Sequence, residues 1–93
     1  MSASSTETIE STIKEILVAD VYLDVTADQI STDDSLRDEI GLDSLGFMEL
    51  RVQCGRRFSV TIPDGEFNPV NFASVGTVVE LIRRLQEAAG KES

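Results

Sequence analysis

The sequence predicts an all-α domain, a four-helix bundle of three long helices and one short helix, with a long loop between helices one and two. Two observations support this fold class. Three segments repeat apolar residues at helical spacing, and the one alternating segment, residues 59–62, has no second strand with which to pair. A chain of 93 residues is enough for one domain, so we expect residues 1–93 to form a single unit.

The first helix is predicted from about Ser5 to Tyr22. Ser4 and Glu7 have the spacing of a capping box, and residues 1–5 are predicted to be a frayed N-terminus. Apolar residues then share one helical face: Ile9, Ile13, Ile16 and Leu17.

Residues 24–43 have no helical periodicity and are rich in Asp, Ser and Thr, which favour turns. A loop this long in a small domain is usually either functional or disordered. Its apolar residues resemble anchors to a core, which favours an ordered, functional loop: Val25, Ile30, Leu36, Ile40 and Leu42.

The second helix is predicted from Ser44 to about Phe58 and carries two apolar stripes. The first stripe is Phe47, Leu50, Cys54 and Phe58, and the second is Leu45, Met48 and Val52. A small domain should not bury a helix on every side. One stripe is then an exposed partner site, or it packs under the loop or the short helix, and periodicity alone favours neither.

The remaining chain contains a turn at residues 63–65 and a short helical turn within residues 66–72, interrupted by Pro69. Ser74 is a suitable N-cap for the last helix. That helix has a clear apolar stripe of Val75, Val78, Val79, Ile82 and Leu85. Gly90 is predicted to end it.

Composition excludes several classes of function. The net charge is −9, with −10 in residues 1–50 and +1 in the rest, so the first half repels nucleic acid and anionic membranes and attracts basic docking patches. Without histidine, no Ser-His-Asp or Cys-His site is possible. We therefore expect no catalytic residues, and the acids of residues 24–38 lack the calcium-loop pattern, so we expect no metal.

The chain shows neither a signal peptide nor a long apolar run, which predicts a cytoplasmic protein. The single cysteine, Cys54, cannot form an internal disulfide and is interpreted as a small buried residue.

The strongest local motif is Gly41-Leu42-Asp43-Ser44-Leu45, placed between the loop and the second helix. With Met48-Glu49-Leu50 and Ile62-Pro63-Asp64 after it, this motif resembles the acyl carrier protein family of discrete type. The resemblance covers nearly the whole chain. It implies a non-catalytic carrier that holds acyl groups as thioesters on 4'-phosphopantetheine, attached covalently from coenzyme A to Ser44.

The sequence offers two alternatives to that attachment. Ser44 could be a plain N-cap, a common role for serine. A second Asp-Ser-Leu triplet, Asp34-Ser35-Leu36, lies in the loop, but no apolar helix begins there and Leu36 is better interpreted as an anchor to the core. A serine at a helix start has an accessible hydroxyl, and a phosphodiester there lies near unpaired N–H groups, which favours Ser44.

The resemblance also assigns a role to each of the two apolar stripes of the second helix. It implies that Leu50, Cys54 and Phe58 face the core. It further implies a set of residues that dock partner enzymes: Asp43, Leu45, Met48, Glu49 and Val52. The implied partners are a phosphopantetheinyl transferase and acyltransferases or ligases, ketosynthases or tailoring enzymes, and the carrier is expected to be a monomer.

Several residues depart from bacterial fatty-acid carriers. They are Arg51, Arg56 and Arg57, the glycines Gly46 and Gly55, the bulky Phe47, and a longer segment at residues 67–72. They favour a carrier from polyketide or mixed polyketide–peptide biosynthesis. The rivals are a peptidyl carrier, which usually has Gly-Gly where this chain has Leu42-Asp43, a fatty-acid carrier, and an unmodified acidic adaptor.

Overall fold

The computed structural model describes residues 6–21 and 25–92. These residues form three α-helices and no β-strand, which confirms the all-α class. The helices are α1 (Thr6–Glu15), α2 (Ser44–Phe58) and α3 (Val75–Glu92). A π-helical turn, Ile16–Asp20, continues α1, and two 3-10 turns lie at Ala27–Gln29 and Asp64–Glu66.

The first helix buries the face that its spacing predicts. Ile9, Ile13, Ile16 and Leu17 are all buried. The helix then widens, and the N–H of Val21 donates to the carbonyl of Ile16 at 3.0 Å, the i to i+5 bond of a π turn. Several predictions concern residues or side chains that the structure does not describe. They are the helix ends at Ser5 and Tyr22, the Ser4–Glu7 capping box and the frayed residues 1–5.

The connection between the π-helical turn and α2 is held to the core, as its apolar residues predict. Ile30, Leu36 and Leu42 are buried, and Val25 and Ile40 pack partly against them. Two backbone hydrogen bonds tie the connection to the start of α3. The N–H of Leu36 donates to the carbonyl of Ala73 at 2.9 Å, and that of Gly76 to the carbonyl of Thr32 at 3.0 Å.

The predicted short helix does not form an α-helix in residues 59–74, all of which the structure describes. A 3-10 turn occupies Asp64–Glu66, and one further turn is closed by the N–H of Phe72 on the carbonyl of Asn68 at 3.0 Å. A side chain also closes this turn, because the Asn68 carboxamide accepts from the N–H of Asn71 at 2.9 Å. The described chain therefore has three α-helices, not four.

The last helix begins where predicted and ends later. The Ser74 hydroxyl accepts from the N–H of Thr77 at 3.3 Å, and the Thr77 hydroxyl accepts from the N–H of Ser74 at 3.0 Å. The predicted end at Gly90 is wrong, since α3 continues to Glu92. A glycine ends a helix by adopting a positive φ, and among the described glycines Gly41 alone does so.

The core lies where α1 packs against α3 and the π-helical turn packs against α2. It is apolar throughout, and no polar or charged residue is buried among the described residues. Within residues 6–21 and 25–92, no helix combines the length and the apolar character needed to cross a membrane. This packing leaves Ser44 and Leu45, the first two residues of α2, exposed.

Candidate functional site

The start of α2 is fixed by its own local chemistry. Gly41 has a φ of +88°, a region that side-chain-bearing residues rarely adopt, and it turns the chain toward the helix. Asp43 then has an extended backbone, and its Oδ1 accepts from the N–H of Gly46 at 2.8 Å. Asp43 is therefore the N-cap of α2.

Ser44 is the first helical residue, directly after that cap. It is exposed, and its hydroxyl has no hydrogen-bond partner in the part of the chain that the structure describes. The interpretation of Ser44 as a plain N-cap is wrong, because Asp43 performs that role. An exposed hydroxyl that the fold does not use fits the requirements of a covalent attachment point.

The serine of the second triplet has a different environment. Ser35 Oγ accepts from the N–H of Asp38 at 3.0 Å, and its own N–H donates to Glu39 Oε1 at 2.8 Å. Leu36, next to it, is fully buried, as the sequence predicts. Ser35 is thus used to close a turn over residues 35–40.

The two glycines inside α2 have steric explanations. A Cβ on Gly46 would lie 3.1 Å from Cγ of Leu42, the apolar residue packed beneath the helix start. A Cβ on Gly55 would lie 3.1 Å from the carbonyl oxygen of Val60, where the chain leaves the helix. Each glycine costs about 1 kcal/mol of helix propensity relative to alanine, and here it permits close packing.

A surface groove opens beside Ser44. It lies between the connection, the first turns of α2 and residues 67–74. Apolar side chains line much of it: Leu42, Phe47, Met48, Phe67, Pro69 and Phe72. Charged residues share the lining: Asp33, Arg37, Asp38 and Asp43. Sequence reasoning missed the groove, because the segments that form it are far apart in the chain and share no motif.

The two apolar stripes of α2 separate clearly in the structure. Leu50 and Cys54 are fully buried, and Phe47 and Phe58 pack partly against the core. The other stripe is exposed, with 77% of Leu45, 56% of Met48 and 51% of Val52 accessible to solvent. The predicted orientation of both stripes is confirmed, and α2 therefore presents an unpaired apolar surface that begins next to Ser44.

The two acidic residues predicted to dock partners flank this surface. Asp43 is exposed and uses one carboxylate oxygen as the helix cap. Glu49 is partly buried and accepts from the side-chain amide of Gln53 at 2.8 Å. The structure thus places four of the predicted docking residues in the first three turns of α2 and the fifth, Asp43, at its N-cap.

Two of the three arginines of α2 are used within the chain. Arg51 donates to the carbonyl of Ile62 at 2.6 Å and to the Asp64 carboxylate at 2.7 Å, and its guanidinium lies 4.8 Å from the centre of the Phe67 ring. Arg57 pairs with two carboxylates, one at the end of α1 and one in the π-helical turn. Arg51 therefore fixes the segment after α2 and does not lie on the exposed stripe.

Arg57 connects the C-terminal end of α2 to the other side of the domain. It lies 3.1 Å from the Glu15 carboxylate and 3.2 Å from that of Asp20. Arg56, its neighbour, is exposed and has no ion-pair partner within the described residues. Arg51 and Arg57 thus have structural roles, which weakens their use as indicators of a pathway.

The described residues contain neither a cluster of metal ligands nor a reactive thiol. No group of three or more His, Cys, Asp or Glu side chains could hold a metal ion within residues 6–21 and 25–92. Cys54 is buried as predicted, and burial raises the pKa of its thiol to about 12. A thiol this protonated at neutral pH is a poor nucleophile.

A comparison with known families decides the class. Residues 11–85 match the family model described as a phosphopantetheine attachment site. The chain belongs to this family. Phosphopantetheine attachment domains carry covalently attached 4'-phosphopantetheine, act as non-catalytic carriers of acyl or peptidyl groups, and work with partner enzymes and a phosphopantetheinyl transferase.

Proposed function

We propose that the chain carries acyl intermediates as thioesters on a 4'-phosphopantetheine arm attached to Ser44. The observation that carries this proposal is the position of Ser44, which is exposed at the first turn of α2, while its neighbour Asp43 supplies the cap. When bound, the arm supplies a thiol that holds the acyl group. The N–H groups of Ser44 and Leu45 have no acceptor among the described residues and lie at the positive end of the helix dipole.

The contribution of this chain to catalysis is proximity. A cargo tethered to a rigid helix reaches each partner at a high effective concentration. Ser44 fixes the root of the tether, and the exposed stripe beside it is where a partner would hold the same helix.

Intact-mass measurement tests the attachment. We expect the apo-protein, incubated with coenzyme A and a broad-specificity phosphopantetheinyl transferase, to gain the mass of one arm. Ser44→Ala should abolish the gain, and Ser35→Ala, the matched control in the second triplet, should retain it. No gain in the wild type would refute the carrier function. A gain that survives Ser44→Ala would place the attachment elsewhere.

We further propose that Leu45, Met48 and Val52 dock partner enzymes, together with Asp43 and Glu49. Met48→Asp places a charge in the centre of the exposed stripe, and we expect it to lower the kcat/KM of the transferase by about tenfold, the effect of losing 1–2 kcal/mol at an interface. Because Met48 is 56% exposed, the melting temperature should change little.

Val70→Asp is the matched control for this prediction. Val70 is 76% exposed, and the Val70→Asp substitution introduces the same charge on a segment outside α2. We expect transfer to the Val70→Asp variant to proceed at the wild-type rate. Equal rates for the Met48→Asp variant and the wild type, with all partners tested, would exclude the stripe as a docking surface.

We propose that the carrier acts in polyketide or mixed polyketide–peptide biosynthesis, with a short starter or extender unit as its cargo. We also propose that it is monomeric and cytoplasmic. Phe47 supports the short cargo, because its ring packs partly against the core where a long chain would need space. The groove beside Ser44 supports it as well, since it gives a short acyl group an apolar surface outside the core. Mass analysis of the protein isolated from its native host would identify the cargo, and a long fatty acyl chain would refute this setting.

A further inference from the structure

Among the described residues, Arg37 is the one cationic side chain that lines the groove beside Ser44. Arg37 is exposed and has no ion-pair partner among the described residues, although Asp33 and Asp38 line the same groove. This separates it from Arg51 and Arg57, both of which are paired with carboxylates of the chain. The fold therefore leaves the Arg37 guanidinium available for an anion that the polypeptide itself does not supply.

The charge around Ser44 makes such a cation useful. Asp33, Asp38 and Asp43 line the groove with Ser44, so an anion placed on the serine oxygen meets like charges. A phosphodiester on that oxygen carries one negative charge. A guanidinium suits phosphate oxygens because its planar fork of N–H donors can bind two of them at once.

We propose that Arg37 binds the phosphodiester carried by Ser44 and so holds the root of the arm along the groove. The inference rests on the proposed attachment at Ser44. Because the phosphodiester is covalently fixed in the groove that Arg37 lines, the two charges meet at a high effective concentration. Arg37 is then a positioning residue, which biases the arm toward Phe47 and Phe67 and away from Leu45 and Val52, the two stripe residues outside the groove.

An acyl group with a carboxylate could offer Arg37 the same chemistry from a different source. The experiment separates the two sources by examining the unloaded arm first. The full-length protein is compared in its apo form, with the arm bearing a free thiol, and with the arm loaded with acetyl or malonyl groups. The readouts are the Nε–H resonances of the arginines and the ³¹P resonance of the phosphodiester.

We expect the Arg37 Nε–H resonance to shift on attachment of the arm, before any loading, and the Arg56 resonance to stay in place. The shift should shrink at about 1 M salt, where the Debye length is about 3 Å. Arg37→Gln should change the ³¹P resonance of the arm, and Arg56→Gln, which removes the same charge at a site outside the groove, should not. Arg37→Lys keeps the charge without the fork, and it should retain part of the effect.

The outcomes distinguish this proposal from the proposed function. If no arm is gained, the attachment itself is refuted. If the mass increases in the wild type and in Arg37→Gln but no resonance of Arg37 moves, Arg37 does not bind the phosphodiester. A shift that appears only with the malonyl group would assign Arg37 to the cargo and overturn the proposal. The Arg37 side chain is exposed and makes no hydrogen bond or ion pair within the described residues, so its variants should keep the apo melting temperature.

Discussion

Asp43 has a structural role as a helix cap and a proposed role in docking partners, and the sequence motif does not distinguish the two. Its carboxylate caps α2 through the N–H of Gly46, and its exposed position beside Leu45 makes it a candidate contact for a basic partner. A substitution that removes both functions cannot show which one a partner needs. Asparagine separates them, because it caps helices as well as aspartate does and carries no charge.

We therefore expect Asp43→Ala to lower the free energy of unfolding by about 1 kcal/mol, through loss of the cap. In a domain of this size that corresponds to a fall of about 4–8 °C in the melting temperature. Asp43→Asn should keep the stability and slow transfer by the phosphopantetheinyl transferase. Thermal unfolding and transfer rates of the two variants check this, and an Asn variant as unstable as the Ala variant would contradict the capping role.

At the scale of elements, the connection before α2 depends on polar ties as well as on buried apolar residues. The Thr32 hydroxyl donates to the Glu10 carboxylate of α1, and Lys14 lies 3.0 Å from the same carboxylate. The hydrogen bond from Thr32, followed by that from Lys14, lowers the pKa of Glu10 below its ordinary value of 4.5. α1 and the connection are thereby linked through an ionised group.

This link predicts a pH dependence. A carboxyl group whose pKa is lower in the folded state stabilises the fold above its unfolded pKa, and the stabilisation is lost as the pH falls below about 4.5 and through the folded value. Thr32→Val removes the main cause of the shift and keeps the side-chain shape. We expect the variant to be less stable at neutral pH and to lose less stability on acidification.

Chemical denaturation at pH 7 and at pH values below 4.5 measures both effects. Thr61→Val is the matched control, since Thr61 is exposed and its hydroxyl has no partner in the described chain. Parallel pH profiles for the wild type and Thr32→Val, displaced by a constant amount, would show that the Glu10 carboxylate does not respond to Thr32.

For the whole molecule, Cys54 reports on opening of the core. Its side chain, on α2, is fully buried in the core, and burial raises the thiol pKa to about 12. At pH 8 the folded apo-protein should therefore react with a thiol reagent far more slowly than a free cysteine does, and denaturant should restore the rate. The holo-protein should react rapidly once, at the arm. Rapid reaction of the folded apo-protein would contradict a closed core around α2.

The sequence predicts best those features of the fold that depend on a single helix or loop. The stripes of α1, α2 and α3 follow from helical spacing, because burial of an apolar face is a local property of a helix. The anchors Ile30, Leu36 and Leu42 follow from their apolar character in an otherwise polar loop. Contacts between distant segments were not predictable. Arg57 pairs with residues 37 and 42 positions away, and the groove combines three separate segments. Helix ends were predicted least well. Glycine commonly ends a helix, but α3 continues past Gly90 to Glu92.

The two backbone hydrogen bonds between the connection and the start of α3 also define a mechanical path through the chain. They close residues 36–73 into a ring that contains α2 and Ser44. Tension applied between residues before Thr32 and residues after Gly76 would cross first at the hydrogen bond between Thr32 and Gly76 and then at that between Leu36 and Ala73, and it would bypass α2. The helix that bears Ser44 is therefore shielded from strain when the rest of the chain is pulled, and it can keep the root of a tether in a fixed orientation.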